Sequence, residues 1–326
     1  MSRGRGGDKV GDMERERILV IAGPTAVGKT ELAVRVARQV PAEIVSADSM
    51  AVYQGLDIGT AKPTPEQRKG VRFHLIDYVP PEEPYSLARF QADAREAIEG
   101  IVARRHLPII CGGTGLYVRA LVQGFELPEE GDGERRKDIE RRLEDEGLDA
   151  LAEELVGIDP EAAVSVDLKN PRRVVRALEI VTATGEGLAE ARGRAEEAPY
   201  RAACFVVTCG REVMYRRIDR RVDEMIAAGW VEEVRGLLGR LGADTTAMQA
   251  IGYRHLVAYM GGPSGPQGEG GLEETVAAIK RDTRRFAKRQ LTWWRKEEGC
   301  SWLGWETAQD FAAAEEVLVR EAGELV

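Results

Sequence analysis

Cysteine, histidine and long hydrophobic runs are all scarce in this 326-residue chain. Three histidines give little basis for a histidine-centred catalytic cluster or a zinc site. No apolar run approaches the roughly 18 residues that span a membrane. The polar, glycine-rich residues 1–16 lack the apolar centre of a signal peptide. We therefore predict a cytoplasmic protein without a membrane segment, in which residues 1–16 form a disordered leader.

The four cysteines form no C-x-x-C pair. They are Cys111, Cys204, Cys209 and Cys300. This spacing predicts reduced cysteines that act as small apolar side chains, in keeping with a cytoplasmic protein.

The charge balance and the composition set the broad class of the protein. A net charge of −9 argues against nucleic-acid binding by the whole surface, although a local basic face could still bind it. A hydrophobic content of 43% is enough for a packed core. The length fits either two domains or one domain with a large insertion.

A glycine-rich motif near the start of the chain predicts a phosphate-binding loop. It matches the pattern G-x-x-x-x-G-K-[ST] with Gly23, Pro24, Thr25, Ala26, Val27, Gly28, Lys29 and Thr30. An apolar strand over residues 18–21 precedes it and a helix pattern follows, which is the context that this motif requires. Backbone N–H groups would bind phosphate oxygens, Lys29 would bring a positive charge, and Thr30 could offer its hydroxyl to Mg²⁺. The motif therefore predicts a polyphosphate ligand.

Further strands alternate with helices after this motif. Residues 42–47, 73–77, 107–111 and 202–208 have the apolar character of buried strands. This order predicts an α/β fold with a P-loop-type parallel sheet flanked by helices. Asp48 ends the second strand, and a second glycine turn containing Thr114 ends the fourth. Because ligands bind beyond the carboxyl ends of parallel strands, both residues are expected beside the phosphate loop.

A charge-rich segment over residues 126–199 interrupts this alternation. Its pattern is helical with almost no strand signal, which predicts an all-α insertion domain. The catalytic core would then consist of residues 17–125 and 200–326. In the core, Arg217 and Arg221 lie one turn apart on a predicted helix, although their spacing alone fits a solvated face equally well.

The last strong helix pattern covers residues 272–296 and is unusually basic. One stripe of this helix contains Lys280, Arg284, Lys288 and Arg295. Because the stripe opposes the global charge, contact with a phosphate backbone is favoured over a plain solvated face.

A phosphate loop alone is compatible with ATPases, GTPases, kinases and other transferases with phosphate leaving groups. No strand ends in a convincing Asp-Glu pair and no Asn-Lys-x-Asp motif occurs, which disfavours motor ATPases and GTPases. A small-molecule kinase stays compatible, since it needs only the loop, Mg²⁺, arginines and a base such as Asp48.

Six segments in sequence order together resemble tRNA dimethylallyltransferases, the isopentenyltransferases of bacterial tRNA modification. They are the phosphate loop and residues 46–63, 112–117, 170–180, 250–254 and 283–295. Each motif alone is only moderately specific, but six in order are highly specific. Ala51 and Gln54 stand where many members of the family carry Gln and Arg.

The resemblance implies transfer of a dimethylallyl group from dimethylallyl diphosphate to tRNA. The acceptor would be the exocyclic amine of the adenosine 3′ of the anticodon, giving N6-dimethylallyladenosine. Lys29 and Mg²⁺ would stabilise the diphosphate leaving group, and Asp48 matches the general base of the family. Thr114 matches a threonine beside the diphosphate, and Arg217 and Arg221 match the helix whose arginines hold it.

The resemblance also implies tRNA as the partner, with the insertion domain gripping the anticodon stem-loop. The expected tRNA-binding residues are Asp48, Ser49, Met50, Ala51, Thr114, Arg136, Arg172, Arg173, Val174, Val175, Arg176, Lys280, Arg284 and Lys288. We expect a monomer that does not bind a membrane.

Two other functions share part of this pattern. An adenylate isopentenyltransferase has the loop and the base, but its free nucleotide acceptor needs neither a helical insertion nor a basic final helix. A P-loop RNA-binding ATPase would keep the basic helix, but it has no use for Asp48 and Thr114 at the loop.

Overall fold

The computed structural model describes residues 15–124, 134–191, 198–261 and 271–326. They form two compact units, one within Gln123–Pro199 and the other from the chain on either side of it. The prediction placed the start of the inserted unit at residue 126. Residues 1–14 of the predicted leader lie outside the described residues, but Glu16 already belongs to the first strand. The predicted leader is therefore wrong at its last residue.

The larger unit is built on a six-stranded sheet in which all neighbouring strands are parallel. The strands are β1 (Glu16–Ala22), β2 (Ala42–Ser46), β3 (Phe73–His74), β4 (Leu107–Gly112), β5 (Tyr200–Cys209) and β6 (Cys300–Trp305). Their order across the sheet is β3-β2-β4-β1-β5-β6. Alternate residues of β1 pack into two different apolar clusters, so both faces of the sheet are covered. The predicted parallel α/β fold is confirmed.

The helices that cover this sheet follow the apolar periodicity of the sequence. They are α1 (Lys29–Ala37), α2 (Pro65–Arg68), α3 (Leu87–Ala103), α4 (Gly115–Gln123), α10 (Arg211–Ala227), α11 (Trp230–Leu238), α12 (Tyr253–Tyr259), α13 (Leu272–Trp294) and α14 (Ala308–Leu325). The side chain of Ser86 accepts the N–H of Arg89 at 3.1 Å, which caps α3. None of the described helices is long and apolar enough to span a membrane.

The smaller unit consists of helices around its own apolar core, as far as it is described. They are α5 (Glu134–Glu146), α6 (Leu148–Ile158), α7 (Ala162–Ser165), α8 (Pro171–Thr184) and α9 (Leu188–Ala191). Asn170 caps α8 by accepting the N–H of Arg173 at 3.3 Å, and Pro171 occupies the first turn, where its missing N–H is not needed. Val174 and Val175 of α8 lie in the core.

A buried carboxylate on β2 connects this strand to β3 and to the segment that precedes β4. Glu43 on β2 is 3% exposed, and Arg104 donates to both of its oxygens at 2.7 Å. Nitrogens of His74 and His106 lie 2.7 and 2.9 Å from the same carboxylate. Burial alone would raise the pKa of Glu43, but the hydrogen bonds from Arg104, His74 and His106 outweigh it and lower that pKa to about 2.

Two strand predictions need correction. The third strand was predicted over residues 73–77, but Leu75 and Asp77 have φ values of 56° and 57°, which an extended strand cannot contain. Strand β6 and helix α14, the last strand and the last helix of the larger unit, were not predicted.

The prediction of four reduced cysteines is wrong for one pair. Cys204 on β5 and Cys300 on β6 stand opposite each other in the parallel register and form a disulfide. Cys111 and Cys209 are buried and free, as predicted.

Candidate active site

The predicted phosphate loop joins β1 to α1 at the carboxyl ends of the parallel strands. Gly28 has a φ of 90°, and a Cβ there would lie 2.7 Å from the ring of Phe311, so only glycine fits. Ala26 has a φ of 68°, an uncommon value for a residue with a side chain. The Lys29 ammonium donates to the carbonyl of Pro24 at 2.6 Å, which keeps its charge at the loop.

Two side chains from the carboxyl-terminal half of the chain hold this loop. Nε of Arg217, on α10, donates to the carbonyl of Ala26 at 2.7 Å. Nε1 of Trp305, on β6, donates to the carbonyl of Val27 at 3.0 Å. The guanidinium of Arg217 also lies over the Trp305 ring, 5.1 Å from its centroid. The loop conformation therefore depends on elements far along the chain.

Asp48 and Thr114 are fixed beside each other by backbone hydrogen bonds. Oδ1 of Asp48 accepts the N–H groups of Met50 and Ala51 at 2.9 and 3.2 Å. The N–H of Thr114 donates to the carbonyl of the residue before Asp48 at 3.3 Å. The Thr114 hydroxyl accepts the N–H of Ser49 at 3.4 Å. The ends of β2 and β4 thus present a carboxylate and a hydroxyl at one edge of the sheet.

The side chain of Gln290, on α13, reaches both glycine-rich turns. Its Oε1 accepts the N–H of Thr25 in the phosphate loop at 2.9 Å. Its Nε2 donates to the carbonyl of Gly113 in the second turn, also at 2.9 Å.

The site concentrates positive charge around one carboxylate. Burial lowers the pKa of Lys29 to about 8; Cys111 and Asp48 act to raise this pKa, and Arg221 to lower it. Burial lowers the pKa of Arg221, and the charge of Arg217 lowers it further, whereas the charge of Asp48 acts to raise it. Asp48 is therefore within electrostatic reach of both cations. Such a site can bind a polyanion and can accept a proton next to it.

Comparison with known proteins identifies the family. The sequence matches a family model described as IPP transferase over residues 51–297 and one described as isopentenyl transferase over residues 16–80. The tRNA dimethylallyltransferase of Geobacillus thermodenitrificans is 43% identical over 95% of this chain and 98% of its own. The chain belongs to the tRNA dimethylallyltransferase family. The enzyme of that name from Symbiobacterium thermophilum is 47% identical over 93% of this chain and 94% of its own.

Solved structures give the same assignment. The full-length tRNA isopentenylpyrophosphate transferase of Bacillus halodurans matches with a TM-score of 0.69 and 38% identity over 95% of this chain and 99% of that one. A eukaryotic dimethylallyltransferase acting on tRNA matches with a TM-score of 0.78 and 27% identity over 93% of this chain and 78% of that one. The resemblance stated from six segments is confirmed, and the chain is a prenyl-type transferase.

The basic stripe of this transferase is partly neutralised within the larger unit. Lys280 pairs with Asp223 at 2.6 Å, and Arg284 pairs with Asp219 at 3.1 Å, so both cations join α13 to α10. Lys288 is exposed and makes no ion pair within the described ranges. The predicted contact of this stripe with tRNA stays a prediction.

Three of the predicted tRNA-binding residues are buried. Val174 and Val175 are 0% and 4% exposed because they pack in the core of the smaller unit, and Ala51 is 5% exposed. The side chains of these three residues are therefore shielded from solvent, and their predicted contact with tRNA stays a prediction. Three predicted arginines pair with carboxylates of their own unit: Arg136 with Glu140, Arg173 with Asp167, and Arg176 with Glu179. Arg172 is exposed, and Ser49 and Met50 are half-buried.

The loop after Asp48 is shaped by Lys62 and by Glu233, and of these two residues Glu233 was not predicted. Lys62 is 8% exposed, and its ammonium donates to Asp57 at 2.7 Å and to Asp77 at 2.6 Å. Glu233, on α11, accepts the N–H groups of residues 57, 58 and 59 at 2.9, 2.7 and 3.3 Å. In the sequence, Lys62 lies in a glycine-containing loop between two aspartates, a pattern that fits a buried ion pair. Glu233 lies on a helix far along the chain and gave no such signal.

Proposed function

We propose that this enzyme transfers the dimethylallyl group of dimethylallyl diphosphate to tRNA, on the exocyclic amine of the adenosine 3′ of the anticodon. The observation that carries the proposal is the convergence of Lys29 and Arg221 on Asp48 at one edge of the sheet, next to the phosphate loop that Arg217 contacts. The cations suit a diphosphate, and the carboxylate suits the proton released by an amine. Curated relatives named tRNA dimethylallyltransferase support the same reaction.

The phosphate loop holds the donor in this proposal. Its N–H groups and the Lys29 ammonium bind the diphosphate, and the guanidinium of Arg217 lies close enough to contribute. Nη2 of Arg217 is 3.8 Å from the position that a Cβ of Gly28 would take. As the C–O bond breaks, its electron pair stays with the diphosphate. The fixed cations then stabilise the growing negative charge without rearrangement.

We include Mg²⁺ in the proposal because oxygen donors are present at the loop. Mg²⁺ is usually held by one or two protein oxygens together with substrate phosphates. No group of three or more His, Cys, Asp and Glu side chains gathers in the described ranges, which fits an ion held mainly by the diphosphate. The hydroxyl of Thr30, at the amino end of α1, is the proposed protein ligand. When bound, the ion adds positive charge at the leaving group.

Asp48 accepts the proton in the proposed reaction. The adenosine nitrogen attacks the allylic carbon, so that the N–C bond forms while the C–O bond breaks. The amine proton moves to Asp48. Two backbone N–H groups fix Oδ1 of this carboxylate, and its Oδ2 makes no hydrogen bond within the described residues. A carboxylate suffices as the base, because an aryl amine loses its proton readily once attack is under way.

The acceptor base has to leave its stack to reach this edge of the sheet. Anticodon-loop bases suit that requirement, because they are already accessible in a single-stranded loop. The smaller, all-α unit is proposed to bind the anticodon stem-loop, with the exposed Arg172 among its phosphate contacts.

One incubation tests the proposal. Purified enzyme, dimethylallyl diphosphate, Mg²⁺ and unmodified tRNA are expected to give prenylated adenosine at the position 3′ of the anticodon, measured by mass spectrometry of nuclease fragments. AMP in place of tRNA is expected to stay unmodified. Prenylated AMP without prenylated tRNA would instead identify an adenylate isopentenyltransferase. ATP hydrolysis without either product would identify an RNA-binding ATPase.

A further inference from the structure

One buried amide connects the two glycine-rich turns of the active site. Gln290 is 9% exposed and lies on the 23-residue helix α13. It accepts a hydrogen bond from the N–H of Thr25 and donates one to the carbonyl of Gly113, both at 2.9 Å. These partners fix which end of the amide is oxygen and which is nitrogen, because one is a donor and the other an acceptor.

The amide of Gln290 packs directly against the second glycine-rich turn. A Cβ on Gly113 would lie 2.5 Å from Nε2 of Gln290. Beyond Gly113, the next residue is Thr114, whose hydroxyl accepts the N–H of Ser49 at 3.4 Å. A continuous set of hydrogen bonds and short chain segments therefore runs from the phosphate loop, through Gln290, to the residue after Asp48.

We propose that Gln290 is a positioning residue that sets the separation between the bound diphosphate and Asp48. This inference rests on the proposed function, in which the donor lies at one end of this connection and the proton acceptor at the other. The allylic carbon and the adenosine nitrogen must be held at a distance from which their bond can form. A displacement of about 1 Å therefore lowers the rate by on the order of 100-fold. An amide is required because Gln290 donates to one turn and accepts from the other.

Three variants separate positioning from general support of the fold. Gln290→Met keeps the length but loses both hydrogen bonds, and kcat is expected to fall on the order of 100-fold. The KM for tRNA is expected to stay unchanged. Gln290→Glu keeps the acceptor for Thr25, loses the donor to Gly113 and adds a negative charge beside the phosphate loop. It is therefore expected to raise the KM for dimethylallyl diphosphate as well.

Gly113→Ala displaces the amide without changing Gln290, and it is expected to lower kcat in the same way. It also keeps the inference testable if Gln290→Met does not fold. Gln309→Met is the matched control, since it makes the same chemical change at an exposed position of α14. Its melting temperature and its kcat are expected to equal those of the wild type.

The outcomes distinguish this inference from the proposed function. A wild-type enzyme that yields no prenylated tRNA overturns both. An active wild type with an unchanged kcat in folded Gln290→Met or Gly113→Ala overturns only the positioning role. Parallel losses of kcat, tRNA affinity and melting temperature also overturn it, because they indicate general support of the fold. A lowered kcat with tRNA affinity and melting temperature retained supports it.

Discussion

The lowered pKa of Lys29 predicts that donor binding weakens as the pH rises above neutrality. Burial brings the pKa of this ammonium to about 8, so that it loses its charge within a range where the protein can be studied. With that pKa, about nine-tenths of Lys29 is charged at pH 7 and about one-tenth at pH 9. If only the ammonium form binds the diphosphate, Kd rises about tenfold between these two values, or about 1.4 kcal/mol.

Isothermal titration calorimetry with dimethylallyl diphosphate measures this Kd directly, at constant Mg²⁺ and ionic strength. Without tRNA no transfer consumes the ligand. Lys29→Arg is the control, because arginine keeps its charge at both pH values. The Kd of this variant therefore reports the pH effects of the ligand and of all other groups. The ratio of the wild-type Kd to the variant Kd isolates the pH effect of Lys29. A ratio that does not change between pH 7 and pH 9 would refute the reasoning.

Three further predictions follow from the same structure. Asp48→Asn can keep both backbone hydrogen bonds but cannot accept the proton, so kcat should fall about 10²- to 10⁴-fold while tRNA affinity in filter binding is retained; an equal loss of affinity would contradict the base role. Glu43→Gln should lower the free energy of unfolding by about 3 kcal/mol at pH 7, measured by urea denaturation. Because the folded pKa of Glu43 is about 2, below its unfolded value of 4.5, the wild type should lose this stability as the pH falls from about 4.5 to 2. A variant as stable as the wild type at pH 7 would contradict that account. Lys288→Ala should reduce the slope of the logarithm of the tRNA association constant against the logarithm of the salt concentration by about 1. Lys280→Ala, which breaks an ion pair with Asp223, should change this slope less. Equal slopes for the two variants would count against a phosphate contact by the exposed part of the stripe.

The sequence predicted the parts of the site that depend on local pattern. The phosphate loop is one continuous motif, and Asp48 and the second glycine turn each follow a buried strand. Because parallel strands end at one edge, their convergence followed from the fold class alone. Strand β6 was missed because five of its six residues are exposed or half-exposed, so no buried apolar run was visible.

Contacts between distant segments could not be predicted. Cys204 and Cys300 pair across a sequence separation of 96 residues, which no spacing rule reveals. The stripe on α13 looked free because its carboxylate partners lie on α10, more than fifty residues earlier in the chain: Asp223 is 57 residues before Lys280. The hydrogen bonds of Gln290 could not be predicted either, because its two partners belong to turns that only the fold brings together.

The contact of Trp305 with the phosphate loop has a consequence for biosynthesis. The indole reaches Val27 across 278 residues, and Phe311 of the final helix closes against the neighbouring glycine. At a translation rate of about 5 to 20 residues per second, roughly 14 to 56 seconds separate synthesis of the two contact partners. The phosphate loop of a nascent chain is therefore synthesised long before Trp305 and Phe311, which pack against it in the folded protein. Ribosome-bound intermediates should bind diphosphate poorly until β6 and α14 have emerged.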